Sequence, residues 1–326
     1  MGLGHFLPPV VRTNADLEAT IDTTDEWIRE RTGIRQRHIA PPGMVTSDMA
    51  TEAAKSALAA AELSPTDLDL IIIATVTPDV PMPATAAFVQ QKLGAGTCPS
   101  LDISAACAGF VFGLAAADGL IRTGTVKHVL VVGVELLSRV VDWSDRTTCV
   151  LFGDGAGAAV LGPADGAEAR GRKRGILTTK LKTDGSMARS LMIPAGGTEL
   201  PVDAAAIEAR TNKVHMKGQD IFKVAVNNLR SSSQSALDAL EMTGDDLDWI
   251  CPHQANIRIV DHAVDRLKLP REKVLVSIDR VGNTSSASIP ILLDESVRSG
   301  KVRPGDRVLL CALGAGVSWG SAVLVV

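Results

Sequence analysis

Short apolar runs rich in β-branched residues alternate along this chain with segments whose apolar residues recur every three to four positions. The runs are typical of strands and the segments of helices. The predicted strands of the first half span 71–75, 101–103, 129–132 and 156–161. The predicted helices span 47–61, 84–93, 220–240 and 257–267, with Ser47 and Asn256 as N-caps. This alternation predicts an α/β protein whose sheets are mostly parallel and covered by helices.

The two halves of the chain are similar to one another. Laying 98–124 on 274–300 without gaps, an offset of 176 positions, aligns Asp118 with Asp294 and Arg122 with Arg298. Three further blocks repeat in the same order, which favours a duplication over chance. The chain is therefore predicted to consist of two related halves, 1–165 and 166–326.

Cys107 is a candidate nucleophile because it lies where the predicted strand 101–103 gives way to a helix. The apolar residues from Phe110 to Ile121 recur there at helical spacing. A helix N-terminus favours an anion by roughly 0.3–1 kcal/mol, and cysteines so placed can have a lowered pKa. The alternative is a core cysteine, because free cysteine is among the most buried residue types.

Two polar residues of the second half are candidates to act with Cys107. His253 lies between a short predicted strand and a helix, where α/β proteins gather their chemistry, and Asn283 aligns with Cys107 under the duplication. Each has an ordinary alternative, His253 as a satisfied polar residue and Asn283 as a helix cap. Related halves usually pack about a pseudo-twofold axis, which would bring both strand-to-helix junctions to one central pocket. Together the three residues predict an active site.

Composition narrows the classes of function. The chain has 326 residues, 46% of them hydrophobic and 21% charged, which suffices for a large core. A net charge of -4 and only 3% aromatic residues argue against nucleic-acid binding. No apolar stretch approaches the ~20 residues of a membrane-spanning helix. Five cysteines without a Cys-x-x-Cys pair, and no secretory signal pattern, predict a cytoplasmic protein without disulfides.

Two glycine-rich runs, 153–157 and 314–316, are similar to nucleotide-binding loops, but both precede strand-like segments rather than helices. We interpret them as tight turns. The second could aim a backbone N–H at a reacting carbonyl oxygen, as an oxyanion hole requires.

Seven segments carry a family resemblance: 25–28, 31–35, 106–110, 152–157, 252–256, 282–285 and 319–322. Through them the chain resembles β-ketoacyl-[acyl-carrier-protein] synthase III, the enzyme family that starts bacterial fatty-acid synthesis, from about Gly2 to the C-terminus. The resemblance implies the thiolase fold, a duplicated αβαβα layered architecture with two mixed, mostly parallel five-stranded sheets. It also implies a homodimer.

The same resemblance implies a Cys-His-Asn triad of Cys107, His253 and Asn283. Chain-elongating relatives have a second histidine at the position of Asn283, so this set favours the priming enzyme. The backbone N–H groups of Cys107 and Ala315 would form the oxyanion hole. Family members usually have a glycine at the position of Ala315, whose methyl group is expected to restrict the turn if a positive φ is needed there.

Further residues are implied to bind substrates. Trp27 and Arg146 would flank the adenine of coenzyme A. The pantetheine channel would be lined by Thr23, Arg31, Phe152, Met216, Phe222 and Asn256. An acidic acyl carrier protein would bind to Lys223, Arg258 and Arg266. Met82 and Phe88 would lie near the acyl pocket.

The implied reaction is an acyl transfer followed by a condensation. The Cys107 thiolate would attack an acyl-CoA primer, acetyl-CoA by default, and loss of carbon dioxide from malonyl-acyl carrier protein would generate the attacking carbanion. No metal, redox cofactor, nucleic acid or membrane is expected to take part. The alternatives are a related condensing enzyme of secondary metabolism and a non-catalytic acyl-binding scaffold, which the presence of all three triad residues disfavours.

Overall fold

A computed structural model describes residues 2–164 and 166–326. The strands are β1 (Gly2–Phe6), β2 (Val10–Thr13), β3 (Gln36–Ile39), β4 (Leu70–Ala74), β5 (Ser100–Ile103), β6 (Val129–Glu135), β7 (Gly155–Leu161), β8 (Glu168–Ala169), β9 (Arg172–Lys173), β10 (Gly175–Thr183), β11 (Leu191–Met192), β12 (His215–Met216), β13 (Trp249–Pro252), β14 (Arg307–Gly314) and β15 (Ser318–Val325). The helices are α1 (Asn14–Glu18), α2 (Asp25–Thr32), α3 (Thr46–Ala61), α4 (Thr85–Leu93), α5 (Gly109–Arg122), α6 (Ala204–Glu208), α7 (Gly218–Asp238), α8 (Ile257–Leu267), α9 (Ile278–Val281) and α10 (Ser288–Arg298).

Two main sheets repeat one topology. The first has the strand order β1-β7-β6-β4-β5, and the second has the order β10-β15-β14-β13, so each strand of the second sheet has an equivalent in the first. The offset of 176 also carries α5 onto the segment formed by the 3₁₀ turn Ser285–Ala287 and α10. The structure therefore supports the predicted duplication. The proposed boundary between the halves, at residue 165, lies outside the described residues.

The second sheet is smaller than predicted. Where a fifth strand was expected, the described residues form a single parallel bridge between Ile250 and Val274. The chain leaves the sheet there because the side-chain Oε1 of Gln254 accepts hydrogen bonds from the backbone N–H groups of Ser277 and Ile278, at 3.0 and 3.1 Å. A side chain thus satisfies donors that a neighbouring strand would otherwise satisfy.

The sheets are also less parallel than predicted. The pairs β4–β5, β4–β6 and β13–β14 are parallel, whereas β1–β7, β6–β7, β10–β15 and β14–β15 are antiparallel. Parallel neighbours need a crossover, usually a helix, and no α-helix separates the last two strands of either half. The strand that ends each half therefore returns antiparallel to the strand before it.

Helices form three layers around the two sheets. α5 and α10 lie between the sheets, α3 packs on the outer face of the first sheet, and α7 packs on the outer face of the second. The largest hydrophobic cluster fills the central layer with side chains from both halves, among them Ile72, Leu114, Leu292 and Leu310. The strand-to-helix junctions before α5 and α10 consequently meet in the middle of the molecule.

One predicted helix start is wrong. α3 begins at Thr46 rather than after a Ser47 cap, and Asp48 accepts a 2.9 Å hydrogen bond from the backbone of Val45. Ser47 is engaged elsewhere, because its backbone N–H and its hydroxyl both donate to Asp79, at 2.8 and 2.5 Å. Within the described ranges, every helix is too short or too polar to span a lipid bilayer.

Candidate active site around Cys107

Cys107 lies in the 3₁₀ turn Ala106–Ala108, which joins β5 to α5 and leads directly into the helix. Its backbone is packed tightly against the β14–β15 turn. A side chain at Gly314 would place its Cβ 2.5 Å from the backbone nitrogen of Cys107, so only glycine fits there. The nucleophile candidate is thereby fixed between the two sheets, one turn ahead of the position that the spacing predicts.

An apolar cavity of about 260 Å³ reaches Cys107. Its lining residues come from eight separate stretches of chain: Val76, Ala106, Cys107, Leu137, Phe152, Leu191, Met192, Ile193, Val214, Ser285 and Ala315. Two of them have left-handed backbones, Ala106 with φ +46° and Ser285 with φ +50°. Such strained non-glycine residues cost of order 1–3 kcal/mol and cluster at functional sites.

The pKa of Cys107 is shifted in the direction opposite to the predicted one. Burial raises the pKa of the thiol to about 12, and the charge of Glu135 raises it further. The hydroxyl of Ser285 and the backbone N–H of Cys107 act the other way, because both favour the thiolate. In this cavity the loss of solvation outweighs the benefit of the helix N-terminus, so the resting residue is a thiol.

Asn283 lies at the equivalent junction of the second half. Its backbone N–H donates to Leu151 at 2.9 Å, and its carbonyl accepts from Gly153 at 3.0 Å. The side-chain Oδ1 accepts a 2.9 Å hydrogen bond from the N–H of Ser285, a cavity residue. Because Oδ1 is occupied, the Nδ2 amide is the group of Asn283 that can donate to a ligand oxygen.

His253 follows β13 and is buried, with 4% of its surface exposed. Its Nδ1 lies 2.6 Å from the hydroxyl of Ser288, the first residue of α10. That hydroxyl also accepts a 3.4 Å hydrogen bond from the N–H of Gln254, which leaves its own hydrogen for Nδ1. In this tautomer Nε2 carries the hydrogen. Burial lowers the pKa of His253 to about 3, so the ring is a neutral donor at physiological pH.

Ala315 lines the cavity together with Cys107. The turn after β14 does need a left-handed residue, but this residue is Gly316, with φ +127°. Ala315 itself has no positive φ. The condition for a restriction by the Ala315 methyl group is therefore not met, because the left-handed position falls one residue later, on a glycine.

The residues predicted for adenine and pantetheine binding form a group on the surface near α2. The guanidinium groups of Arg31 and Arg146 lie 4.6 and 5.0 Å from the centre of the Trp27 ring. Asn256 donates a 2.9 Å hydrogen bond to the carbonyl of Arg31 and caps α8. The hydroxyl oxygen of Thr23 is buried without a hydrogen-bond partner among the described residues. An unpaired polar atom beside this group is suited to a ligand contact.

Three further predicted channel residues approach the cavity from other sides. Phe152 lines it directly and forms a bridge with Asn283. Met216 pairs with Leu191, a cavity residue, across the β11–β12 ribbon. Phe222 belongs to the same apolar cluster as Met216. Of the three, Phe152 lies in the cavity wall, Met216 adjoins it through Leu191, and Phe222 packs in the cluster that contains Met216 and Leu191.

The basic residues predicted to bind an acyl carrier protein are exposed on α7 and α8. Lys223 lies beside Phe222 on α7, and Arg258 on α8 lies 5.8 Å from the centre of the Phe222 ring. Arg266, on the last turn of α8, bonds to Asn227 at 2.7 Å. The three cations therefore share one surface formed by two packed helices.

Met82 and Phe88, predicted to lie near the acyl pocket, are not part of the cavity wall. Neither lines the cavity at Cys107, and Met82 is 86% exposed. Both residues belong to the region around α4, at the β5 edge of the first sheet. Within one protomer the two side chains are therefore separate from the cavity wall, and their place near the acyl pocket stays a prediction.

Sequence reasoning missed three polar residues that hold the site. Ser285 and Ser288 follow Asn283 in a serine-rich stretch, and Glu135 ends an otherwise apolar strand. A single acid at the end of a buried strand is a signal that could have been noticed, because buried carboxyl groups are rare unless they are bonded. Within residues 2–164 and 166–326, no group of three or more His, Cys, Asp or Glu is arranged to hold a metal.

Comparison with known proteins agrees with this geometry. Family models match residues 101–185, described as 3-oxoacyl-[acyl-carrier-protein] synthase III, and residues 237–326, described as the C terminal of the same family. The chain is 50% identical over 323 residues to the β-ketoacyl-[acyl-carrier-protein] synthase III of Symbiobacterium thermophilum, an alignment that covers 99% of this chain and 96% of the relative.

Solved structures are similar over the whole chain. The 3-oxoacyl-[acyl-carrier-protein] synthase III of Aquifex aeolicus VF5 is 44% identical, with a TM-score of 0.90, covering 100% of this chain and 98% of that one. The priming β-ketosynthase of the R1128 polyketide pathway is 36% identical, with a TM-score of 0.90 and coverage of 100% and 95%. The predicted thiolase fold is thereby confirmed. The chain belongs to the β-ketoacyl-[acyl-carrier-protein] synthase III family.

Proposed function

We propose that this enzyme transfers the acyl group of an acyl-CoA primer to Cys107 and condenses it with malonyl-acyl carrier protein, which starts fatty-acid synthesis. The observation that carries the proposal is the apolar cavity that reaches Cys107. Its wall includes Ser285, which bonds to Asn283, and the buried His253 bonds to Ser288 of the same segment. The product is a β-ketoacyl-acyl carrier protein two carbons longer than the primer.

In the first step the Cys107 sulfur attacks the thioester carbonyl, and negative charge develops on its oxygen. The backbone N–H groups of Cys107 and Ala315 are the proposed donors to that oxygen. Support comes from the contact of Gly314 with the Cys107 backbone, which holds the two segments together, and from Ala315 in the cavity wall. Coenzyme A then leaves and an acyl-cysteine remains.

In the second step the malonyl group loses carbon dioxide, and a thioester enolate forms. The proposed donors to the enolate oxygen are Nε2–H of His253 and Nδ2–H of Asn283. Both assignments rest on hydrogen bonds that occupy the opposite end of each side chain, from Ser288 to Nδ1 and from Ser285 to Oδ1. The carbanion then attacks the acyl-cysteine carbonyl, and the Cys107 sulfur is released.

We assign the coenzyme A site to the group at Trp27. Stacking of Arg146 on the Trp27 ring leaves a flat, cationic surface suited to an adenine, and the unpaired Thr23 hydroxyl is available to the linker. Arg31 and Asn256 border the same group. Phe152, Met216 and Phe222 supply the apolar side of a channel toward Cys107.

The acyl group is proposed to occupy the cavity at Cys107. Its side chains are mainly Val, Leu, Ile and Met, and its volume of about 260 Å³ suits a short primer such as acetyl. In a homodimer formed at the β5 edge, Met82 and Phe88 would adjoin the partner. Exposed apolar side chains at Val80, Met82 and Leu101 support an interface there.

The reaction needs no metal or redox cofactor, since every proposed donor and nucleophile belongs to the chain. Five unpaired cysteines and an acyl carrier protein as substrate favour the cytoplasm as its location.

A primer panel tests this function. The enzyme is incubated with malonyl-acyl carrier protein and a series of straight and branched acyl-CoAs, and the β-ketoacyl products are identified by mass spectrometry. We expect product from acetyl-CoA and declining rates as the chain grows beyond the cavity. No ketoacyl product from any primer, despite an acyl adduct on Cys107, would exclude the fatty-acid function and leave the secondary-metabolite alternative.

Charge reversal tests the carrier-protein surface. Arg258→Glu combined with Lys223→Glu is expected to raise KM for malonyl-acyl carrier protein roughly tenfold, with little change in kcat, because exposed cations act mainly on association. The matched control is Lys55→Glu on α3, a cation paired with Glu52 outside this surface. Rates measured at two salt concentrations complete the test. An unchanged KM in the double variant contradicts the assignment.

A further inference from the structure

The steps above assign no role to the buried acid Glu135. Glu135 ends β6, is fully buried, and follows the apolar residues of a strand with no other charge. Burial of a carboxyl group costs several kcal/mol unless donors compensate for the lost water. The donors around Glu135 must therefore offset this cost.

Two groups of donors surround the carboxyl of Glu135. On one side, Oε2 accepts from the hydroxyl of Thr77 at 2.8 Å and from the N–H of Val76 at 3.1 Å. On the other side, Oε1 lies 3.1 Å from the hydroxyl of Ser285 and 3.2 Å from that of Ser286. Glu135 thus joins the end of β4 to the segment that follows Asn283.

Ser285 lines the cavity beside Cys107, and its hydroxyl bonds to Glu135 at 3.1 Å. It donates toward the carboxyl, it favours the thiolate form of Cys107, and Ser285 lines the cavity together with Cys107. A hydroxyl can accept one hydrogen while it donates its own. A proton could therefore pass from the sulfur to the hydroxyl and from the hydroxyl to the carboxyl, since Ser285 borders the cavity with Cys107 and bonds to Glu135.

Ser286 lets the carboxyl exist in both charge states. Its hydroxyl has a single hydrogen, and a closer acceptor than Glu135 is the carbonyl of Ala74, at 2.8 Å. Its oxygen is then free to accept a hydrogen from a protonated Glu135 at 3.2 Å. The surroundings satisfy the acid as well as the carboxylate.

Cys107 is the titratable group that faces Glu135 within the described part of the chain. β4 and β7, which flank β6, contain no titratable side chain. The charged groups of the neighbouring helices pair elsewhere: Asp48 with Lys92, Glu52 with Lys55, Asp118 with Arg122, Asp294 with Arg298 and Glu295 with Arg280. His253 bonds to Ser288 on another side of the site.

A negative charge on Glu135 disfavours a negative charge on Cys107, and the reverse also holds. The Glu135 carboxylate raises the pKa of Cys107, and burial raises the pKa of Glu135 to about 7 although four donors lower it. A buried pair of this kind holds one negative charge, on the carboxyl or on the sulfur. Burial leaves His253 a weak base, with its pKa lowered to about 3.

We propose that Glu135, acting through the hydroxyl of Ser285, takes the proton of Cys107 as the sulfur attacks a thioester. The S–H bond breaks and its hydrogen passes to Oγ of Ser285, while the hydrogen of Ser285 passes to Oε1 of Glu135. The sulfur keeps the electron pair and forms the new bond to carbon. When the thiol leaving group departs, the proton returns by the same route to its sulfur. The identity of that thioester rests on the function proposed above.

The proposal predicts the direction in which the rate of attack by Cys107 changes with pH. Below about pH 7 Glu135 is protonated and cannot accept, so the rate of attack by Cys107 falls as the pH decreases. Above pH 7 the carboxylate is present and the rate reaches a plateau. A thiol that ionised directly into solvent would instead react about tenfold faster with each pH unit up to its own pKa.

Alkylation of Cys107 by iodoacetamide between pH 6 and 9 tests this proposal without any thioester. The rate is measured on the peptide that contains Cys107 by mass spectrometry, which separates it from the other four cysteines. We expect a plateau above about pH 7 in the native enzyme. Glu135→Gln is expected to react roughly 100-fold more slowly at pH 7.5 and to gain rate steadily up to pH 9.

Two serine variants form a matched pair. Ser285→Ala removes the path and is expected to lose the plateau like Glu135→Gln. Ser286→Ala removes a donor to Glu135 that lies outside the cavity wall, so the plateau is expected to remain but to begin at a higher pH. Asp154→Asn, at a second buried carboxyl bonded to a serine and to backbone N–H groups, controls for the loss of a buried charge. Thermal unfolding of each variant establishes that it is folded.

A rate that rises tenfold per pH unit through pH 9 in the native enzyme overturns the proposal, as does a plateau retained in folded Glu135→Gln. A purely structural role would lower the rate equally at every pH and leave the shape of the profile unchanged. If the plateau is found but no acyl-CoA modifies Cys107, the proton path stands and the proposed function fails.

Discussion

Replacing Cys107 with alanine is expected to abolish acyl transfer. Acetyl-CoA should add an acetyl group to the native chain, and the adduct should be absent from Cys107→Ala. Formation of β-ketoacyl product should fall at least about 1000-fold, because the covalent intermediate cannot form and removal of a nucleophile has effects of this size or larger. Intact-protein mass spectrometry and a product assay measure the two quantities.

Cys98 provides the matched control for this prediction. It is a free cysteine with 9% exposure against 8% for Cys107, and it belongs to a different hydrophobic cluster, away from the cavity. Cys98→Ala is expected to retain both the adduct and the product. An adduct of unchanged stoichiometry on Cys107→Ala would show that the acyl group is attached elsewhere, and the assignment of the nucleophile would fall.

Loss of the Asn283 amide is expected to affect the second step and spare the first. Asn283→Asp keeps the Oδ1 acceptor that Ser285 needs but cannot donate from Nδ2. Condensation should therefore fall roughly 100- to 1000-fold, as for the loss of a single oxyanion donor, while acylation of Cys107 changes little. Single-turnover acylation and the release of carbon dioxide from malonyl-acyl carrier protein separate the two steps.

His253 contributes the other proposed donor to the enolate oxygen. Its protonation state determines how decarboxylation depends on pH. Because burial lowers its pKa to about 3, the ring is neutral from pH 5 to 9, and decarboxylation should show no ionisation of this residue in that range. Acylation should instead decline below about pH 7 with Glu135. A decarboxylation rate that follows a pKa near 6.5 would contradict the neutral donor. Equal losses of acylation and condensation in Asn283→Asp would contradict the division of roles.

Much of the fold follows from local sequence signals. The helix cap at Asn256 is present, since its Oδ1 accepts from Arg258 at 2.9 Å. β6 and β7 contain the predicted strands and extend them by a few residues. The second sheet was predicted with a fifth strand that the described residues do not form, because the Gln254 side chain, and not a neighbouring strand, satisfies the backbone at Ser277. The periodicity of a strand does not indicate which group accepts a hydrogen bond from its backbone N–H groups.

Part of the site was also predictable from local sequence signals. A cysteine at a strand-to-helix junction can be read from residue types, and the duplication relates it to Asn283. The pKa of Cys107 could not be read, because the local helix N-terminus lowers it while burial by Val76, Leu137 and Phe152 raises it to about 12. Burial depends on distant segments of the chain, and here it has the larger effect.

By itself the sequence determined the alternation of strands and helices, the duplication, the family and the chemical groups available for catalysis. These properties depend on residue type and on spacing along the chain. Only the tertiary structure decided that Glu135 and Ser285, 150 positions apart, share a hydrogen bond, and that Met82 lies outside the cavity of its own protomer. Contacts across such separations follow from how sheets and helices pack, and packing sets the solvation and the partners of each group.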